Sequence, residues 1–207
     1  MNGACLKLDR SSKSVKFSLH YISQNRLTLL IVAKMVSLYE IMKNPQFADF
    51  LSCFPIVELP VTITADSRQE FAKVNKPFPQ EIIETFLVPM ESEEIDEFTE
   101  FEPCFRFAES EDEFNVVVYW RGKIYAYEYL LVTFNRQNQM ITRKSIAGSK
   151  FENDRMMQSA ANISEDYIIS IVAGQQDKNQ VNYNADMSQS MTFEILSTGD
   201  IIFSLQN

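Results

Sequence analysis

From residue 103 to the C-terminus, hydrophobic and polar side chains alternate with a period of two. In the clearest run, Phe114–Arg121, one side holds Phe114, Val116, Val118 and Trp120. Successive side chains of a β-strand point to opposite faces, so this alternation predicts a strand. Further runs of the same kind predict strands over 124–135, 140–147, 157–163, 167–173, 190–197 and 201–205.

Turn-forming residues separate these runs at short intervals, as at Arg136–Gln139 and Thr198–Asp200. Regularly spaced short strands and turns favour an antiparallel meander. We therefore predict a mainly β fold, an antiparallel meander that forms a sandwich or a partly closed barrel, preceded by one or two N-terminal helices. No fixed repeat length occurs, so the pattern does not indicate a propeller or a solenoid.

Helical spacing of polar positions predicts a first helix over Leu27–Lys43. Asn44-Pro45 then predicts a break and the start of a second, short helix over Pro45–Cys53, because Asn suits a helix cap and Pro the first helical position. This helix has three apolar side chains on one side: Phe47, Phe50 and Leu51. Leu59–Thr64 is typical of an edge strand because it contains a proline.

The domain organisation predicted from these patterns is a basic, mobile leader over residues 1–35 and a single globular domain over 36–207. Within the domain we expect a helical lead-in at 36–58, an acidic segment at 81–113 and a β-rich core at 103–207. The leader has the basic start and apolar run of a secretory signal, but Lys34 interrupts it. We therefore expect a soluble chain, cytoplasmic or exported with a poor signal-like leader, with no transmembrane segment, which needs about 20 apolar residues.

The acidic segment contains thirteen carboxylates and a single cation, Arg106, for a net charge of −12. The whole chain carries −9, so the remainder sums to +3. The isoelectric point of about 4.7 opposes binding to nucleic acid, whose phosphates a negative surface repels. The segment instead indicates a basic protein as partner, and the candidate partner-binding residues are Glu91, Glu93, Glu94, Asp96, Glu97 and Glu100.

The residues that commonly carry enzyme chemistry are sparse. The only histidine, His20, lies in the leader, and Cys5, Cys53 and Cys104 are too widely spaced for a zinc site. Glycine-rich phosphate loops and calcium-loop spacings do not occur. We therefore predict no catalytic residues, no metal and no cofactor. A hydrolase that uses a pair of the acidic carboxylates is the remaining enzymatic alternative.

Residues 121–150 are basic, with six cations against Glu128, and they include interleaved tyrosines. Such a stretch can bind single-stranded nucleic acid, but the favoured interpretation is a sheet face whose charge complements the acidic segment of the same chain. The aromatic face is the candidate ligand-binding surface, formed by Trp120, Tyr125, Tyr127 and Tyr129.

Several segments together carry a family resemblance: Leu131–Asn135, Ile146–Ser149, Asn162–Asp166, and Phe47–Ile63 with its Phe54-Pro55 and Leu59-Pro60 pairs. In these the chain resembles a loose family of uncharacterised β-rich bacterial proteins, often secreted or from the cell envelope. The resemblance covers about the last three quarters of the chain and implies a style of fold. It supplies no catalytic residues.

The hypothesis favoured by the sequence is a non-enzymatic, β-rich binding or envelope-associated domain of unknown ligand. The first alternative is an acidic inhibitor or immunity-type protein that neutralises a basic protein partner. The second is the small carboxylate-dependent hydrolase. The sequence does not indicate an oligomeric state.

Overall fold

The computed structural model describes residue 34 and residues 45–65, 67–92, 95–107, 114–152, 155–177 and 188–204. Except for Lys34, the predicted leader and the predicted helix over Leu27–Lys43 lie outside the described residues. Residues 178–187 also lie outside them. The contacts place Pro45–Asn207 in one unit, which is the unit described below.

Short helices precede the main strands and are interleaved with two very short strands. The helical elements are α1 (Phe47–Ser52), α2 (Ser67–Val74) and α3 (Gln80–Ile82), which continues as a π-helical turn (Ile83–Leu87) and a 3-10 turn (Val88–Met90). The strands are β1 (Ile56–Val57), β2 (Val61–Ile63), β3 (Glu100–Phe107), β4 (Phe114–Lys123), β5 (Ala126–Asn135), β6 (Met140–Glu152), β7 (Arg155–Ile163), β8 (Ile168–Asp177), β9 (Gln189–Ile195) and β10 (Ile201–Phe203).

The ten described strands form a single sheet in the order β1-β3-β4-β5-β6-β7-β8-β9-β10, and β2 pairs separately with β7. Every pairing is antiparallel except that of β1 with β3. Among the described strands β1 and β10 do not pair with each other, so the sheet is not closed. The prediction of a mainly β fold, an antiparallel meander with a helix before it, is confirmed.

The sheet curls around an inner core that draws side chains from both of its halves. Val118 and Leu131 of the first half belong to the same buried cluster as Ile169 and Phe193 of the second half. The Phe107 ring at the end of β3 stacks 5.8 Å from Tyr167, in the turn before β8. The two halves therefore share one apolar interior, which the alternation in each strand supplies.

The outer face of the first half carries a second core, formed by β3–β5 with α1 and the 80–90 helical stretch. In α1, Phe50 is fully buried and Phe47 and Leu51 pack beside it, as predicted. The Asp49 carboxylate accepts a hydrogen bond from the Gln46 backbone N–H at 2.7 Å, which satisfies one free donor at the helix start. The predicted cap, Asn44-Pro45, is wrong by two residues, since the cap position is Gln46.

Several predicted boundaries differ from the observed ones because glycine does not always mark a turn. Gly122 lies inside β4, where the Trp120 ring occupies the space that a Cβ would need, and the turn comes later, at Ile124–Tyr125. Gly148 lies inside β6, where a Cβ would collide with the Tyr127 carbonyl oxygen. Both glycines permit close packing within the sheet.

Two further differences concern the acidic segment and the residues before it. Strand β3 begins at Glu100, three residues before the predicted start of the β-rich core, so more of the acidic segment belongs to the sheet than was predicted. Helix α2 was not predicted. Its start is marked by a hydrogen bond from the Thr64 backbone N–H to Ser67 Oγ at 2.9 Å.

Candidate functional site

The four predicted aromatic residues divide between the interior and the surface. Trp120 and Tyr129 are directly paired across β4 and β5, and their exposed fractions are 5% and 0%. Tyr127 is half-buried, with its ring 6.2 Å from those of both Trp120 and Tyr129. Tyr125 lies in the β4–β5 turn and is 72% exposed. Three of the four therefore come together on the inner face, where Trp120 and Tyr129 are core residues.

Arg68 of α2 lies against the Trp120 ring of this aromatic group. Its guanidinium carbon lies 3.8 Å from the centre of the Trp120 ring, in the geometry of a cation–π contact. Two Arg68 nitrogens donate to the Glu102 carboxylate at 3.1 and 2.7 Å, and one of them also donates to Glu100 at 3.1 Å. The hydrogen bond with Glu102 raises the pKa of Arg68. The arrangement ties α2 to β3 and to the face of the only tryptophan.

The first predicted partner-binding residue, Glu91, is not on the surface. Its side chain is 2% exposed and forms ion pairs with Arg121 and with Arg143, the latter at 2.9 Å. The Tyr119 hydroxyl donates to it at 3.1 Å, and burial, followed by the charge of Glu91, raises the pKa of Tyr119. Glu91 is therefore an internal contact on the outer face of the sheet, unavailable to a partner in this structure.

Glu91 also supports the favoured interpretation of the basic stretch. Arg121 and Arg143 both belong to residues 121–150, and both neutralise a carboxylate of the acidic segment. Arg121 pairs in addition with Glu128, its cross-strand neighbour on β5. Part of the local charge imbalance seen in the sequence is thus cancelled inside the fold.

The other predicted partner-binding residues that the structure describes are exposed. Asp96 and Glu97 lie in the turn before β3, and the Glu100 side chain is 66% exposed at the start of that strand. The Asp96 carboxylate accepts hydrogen bonds from Thr99 Oγ1 at 2.7 Å and from the Phe98 N–H at 3.1 Å. The Thr99 hydrogen bond is the main reason that the pKa of Asp96 is lowered. Glu93 and Glu94 lie outside the described residues.

The pairing of β3 with β4 brings the acidic turn beside the aromatic turn. Glu100 is opposite Gly122, so residues 96–99 lie next to the turn that joins β4 to β5. Lys123, the last residue of β4, contributes to the lowered pKa of Asp96. We use the name aromatic–acidic end for the exposed residues at this end of the sheet: Asp96, Glu97, Phe98, Glu100, Ile124 and Tyr125.

Three large apolar side chains are exposed to solvent at the aromatic–acidic end. Phe98 is 55% exposed, Ile124 58% and Tyr125 72%. The Asp96–Thr99 contacts fix the turn that presents Phe98, and the Tyr125 carbonyl accepts a hydrogen bond from the Phe151 N–H at 2.9 Å. The apolar surface therefore rests on turns that are held by hydrogen bonds.

Sequence reasoning did not identify Arg68, Phe98 or Ile124 as site residues. Asp96-x-x-Thr99 is typical of a side-chain-stabilised turn and is the signal that could have placed Phe98 at a surface. Ser67-x-x-Glu70 before an apolar residue is a helix-start pattern that could have predicted α2, and with it Arg68. The contact of Arg68 with Trp120 joins residues far apart in the chain, and no local pattern marks it.

The described residues include no group of three or more His, Cys, Asp or Glu side chains placed to hold a metal ion. Cys53 and Cys104 are free thiols, and burial raises the pKa of each, which disfavours the reactive thiolate. None of the helices that the structure describes has the length and apolar character needed to span a membrane.

Comparisons with protein families, with curated proteins and with solved structures found no match to this chain. The resemblance to β-rich bacterial envelope or secreted proteins therefore stays a prediction.

Proposed function

We propose that this protein is a non-enzymatic binding domain that binds a basic protein partner through the aromatic–acidic end. The observation that carries the proposal is the exposure of Phe98, Ile124 and Tyr125 together, beside the Asp96 and Glu97 carboxylates. The proposal joins the two leading hypotheses from the sequence, because one candidate ligand-binding residue, Tyr125, and three candidate partner-binding residues, Asp96, Glu97 and Glu100, belong to this end of the sheet.

The apolar side chains are suited to act as anchors. Aromatic residues are enriched at the energetic centres of protein interfaces, and full burial of one large apolar side chain contributes about 1.5–3 kcal/mol. The turns that present them are already hydrogen-bonded, so little ordering is needed on binding. Arg68, which lies over the Trp120 ring, forms an ion pair with Glu100 of this end.

The carboxylates determine what kind of partner fits. Asp96 and Glu97, whose two negative charges exceed the single positive charge of nearby Lys123, make the rim of the apolar surface acidic, and this attracts a partner with lysine or arginine around an apolar centre. Attraction of this kind raises the association rate at low salt and is screened at high salt. Binding is therefore expected to weaken with salt without being abolished, because the apolar anchors are insensitive to screening.

The test is co-purification with the tagged chain from its source cell at low and at high salt. A double variant, Phe98→Ser with Tyr125→Ser, is compared with the wild-type chain and with Val172→Ser, which alters another exposed apolar residue, on β8. We expect a basic protein that the wild-type chain and Val172→Ser retain and the double variant loses. Retention by the double variant, or an acidic partner whose capture ignores salt, contradicts the proposal.

The hydrolase alternative gains no support from the described carboxylates. Among the predicted site residues that the structure describes, Glu91 is the one with a buried carboxylate, and it is enclosed by two arginines and a tyrosine rather than by an open substrate surface.

A further inference from the structure

Two side chains of the inner core have polar atoms without a hydrogen-bond partner among the described residues. They are the indole Nε1 of Trp120 and the hydroxyl of Tyr129, and the two residues are 5% and 0% exposed. The residues are directly opposite each other across β4 and β5, so their side chains are neighbours on the inner face. A buried indole N–H or phenol O–H usually has a partner, because folding removes its hydrogen bonds to water. Two neighbouring exceptions call for a physical explanation.

The same two residues, Arg68 and Tyr127, border both unpaired groups. The Arg68 guanidinium carbon lies 3.8 Å from the centre of the Trp120 ring, and the Tyr127 ring lies 6.2 Å from the rings of Trp120 and of Tyr129. Burial is the main reason that the pKa of Tyr129 is raised; Tyr127 raises it further, whereas the backbone N–H and the charge of Arg68 lower it. Both residues are therefore near the Tyr129 hydroxyl, although neither forms a hydrogen bond with it.

The two bordering side chains also reach the solvent. The Arg68 side chain is 40% exposed, and Tyr127 is half-buried. Displacement of these side chains opens a path to the unpaired groups without any change in the strands. The surroundings are otherwise apolar and aromatic, with the buried Cys104 near the Tyr129 hydroxyl. An apolar, aromatic lining with a few polar groups is the usual composition of a small-molecule site.

We propose that Trp120 and Tyr129 form a binding site for a small, uncharged aromatic molecule that carries a carbonyl oxygen. The indole N–H can only donate, so the ligand must supply the acceptor, and the Tyr129 hydroxyl can donate to the second lone pair of the same oxygen. The rings of Trp120, Tyr127 and Tyr129 suit an aromatic body. The charges disfavour an anion, because Arg68 is already paired with two carboxylates, those of Glu100 and Glu102.

The first experiment observes binding at Trp120 itself. As the only tryptophan, it gives the single indole cross-peak in a proton–nitrogen correlation spectrum of the full chain. The probes are acetophenone, ethylbenzene, which has nearly the same shape without the oxygen, and benzoate, which is charged. We expect acetophenone to shift the cross-peak saturably and to bind roughly tenfold more tightly than either comparison compound. A cross-peak that acetophenone does not shift, or equal binding of ethylbenzene or benzoate, overturns the proposal.

Tyr129→Phe tests the hydroxyl and should change stability and binding in opposite directions. The variant removes a buried unpaired group and keeps the ring, so without the probe the chain should unfold at a higher denaturant concentration than the wild type. It should also bind acetophenone roughly tenfold more weakly, because one of the two donors is lost. A Tyr129→Phe chain that is less stable than the wild type, or that binds acetophenone equally tightly, contradicts the proposal.

Tyr119→Phe is the matched control on the opposite face of the same sheet. The Tyr119 hydroxyl donates to Glu91 at 3.1 Å, so its loss should lower the denaturant midpoint and leave acetophenone binding unchanged. If Tyr119→Phe weakened acetophenone binding as much as Tyr129→Phe does, the effect would not be specific to the inner face, and the proposed site would be wrong.

The site is independent of the proposed function. It takes the three predicted aromatic residues that the aromatic–acidic end does not use, and the two share only Glu100, as a partner of Arg68. The double variant, Phe98→Ser with Tyr125→Ser, should therefore bind acetophenone like the wild type even though it no longer retains the basic partner. Loss of acetophenone binding in the double variant would place the probe at the aromatic–acidic end and overturn the inner site.

Discussion

At the scale of single residues, Glu91 was predicted to lie on the surface, but its side chain is buried. Its carboxylate lies between Arg121 and Arg143, so Glu91→Gln keeps the shape of the side chain but removes the counter-charge beside Arg143 and one of the two carboxylates beside Arg121. Breaking a buried ion pair from one side costs about 3 kcal/mol or more of unfolding free energy. Chemical denaturation measures the loss. Glu97→Gln, at an exposed position, is the control and should unfold like the wild type; equal stability of the two variants contradicts the role of Glu91.

Tyr119 gives the same contact a pH dependence. Burial raises the pKa of Tyr119 above the ordinary value of 10.0, so above that pH the unfolded chain releases a proton that the folded chain keeps. The contribution of neutral Tyr119 to the free energy of unfolding is fully present below pH 10.0 and declines as the pH rises further. We expect Tyr119→Phe to lose less stability than the wild type between neutral and strongly alkaline pH. Identical alkaline losses in the two proteins would show that Tyr119 does not titrate as the structure requires.

At the scale of secondary-structure elements, α2 is held to the sheet through Arg68. Arg68→Ala removes both the contact with Trp120 and the hydrogen bonds to Glu102. Because the arginine side chain is 40% exposed, we expect the free energy of unfolding to fall by only about 1 kcal/mol. Trp120 fluorescence of the folded chain should change as well. Lys73→Ala, an exposed position on the same helix, serves as the control and should leave both quantities unchanged. An unaltered Trp120 emission in Arg68→Ala would contradict the contact.

The elements also show what a single sequence can predict. Strands such as β4 and β5 were predictable because a run rich in β-branched and aromatic residues is a local property of the chain, although both faces of these strands are largely buried. The turn at Ile124–Tyr125 was missed because Gly122 serves packing against Trp120 rather than chain reversal. The burial of Glu91 depends on arginines 30 and 52 positions later in the chain, a pairing that only the sheet register creates. The composition of the acidic segment and of the basic stretch indicated that their charges could neutralise each other. It did not indicate which residues form the ion pairs.

At the scale of the whole molecule, one sheet serves two cores. Strands β3–β5 contribute Val118 and Leu131 to the inner core and Tyr119 and Leu130 to the outer core. Helix α1 and the 80–90 helical stretch therefore pack on one face of these strands, and the second half of the sheet packs on the other. Neither core can lose its packing without exposing one face of the shared strands to water. This is the arrangement expected of a single cooperative unit.

Cooperativity of the two cores can be tested with one substitution in each. Phe50→Ala opens the outer core and Ile163→Ala the inner core; both residues are 0% exposed, and each change should cost about 2–5 kcal/mol of unfolding free energy. Trp120, the only tryptophan, reports on the inner face, while far-ultraviolet circular dichroism reports on the sheet as a whole. Because the shared strands couple the faces, Phe50→Ala should shift both signals to the same lower denaturant midpoint. If the fluorescence midpoint stayed at the wild-type value while the dichroism midpoint fell, the inner core would be independent of the outer one, and the single-unit description would be wrong.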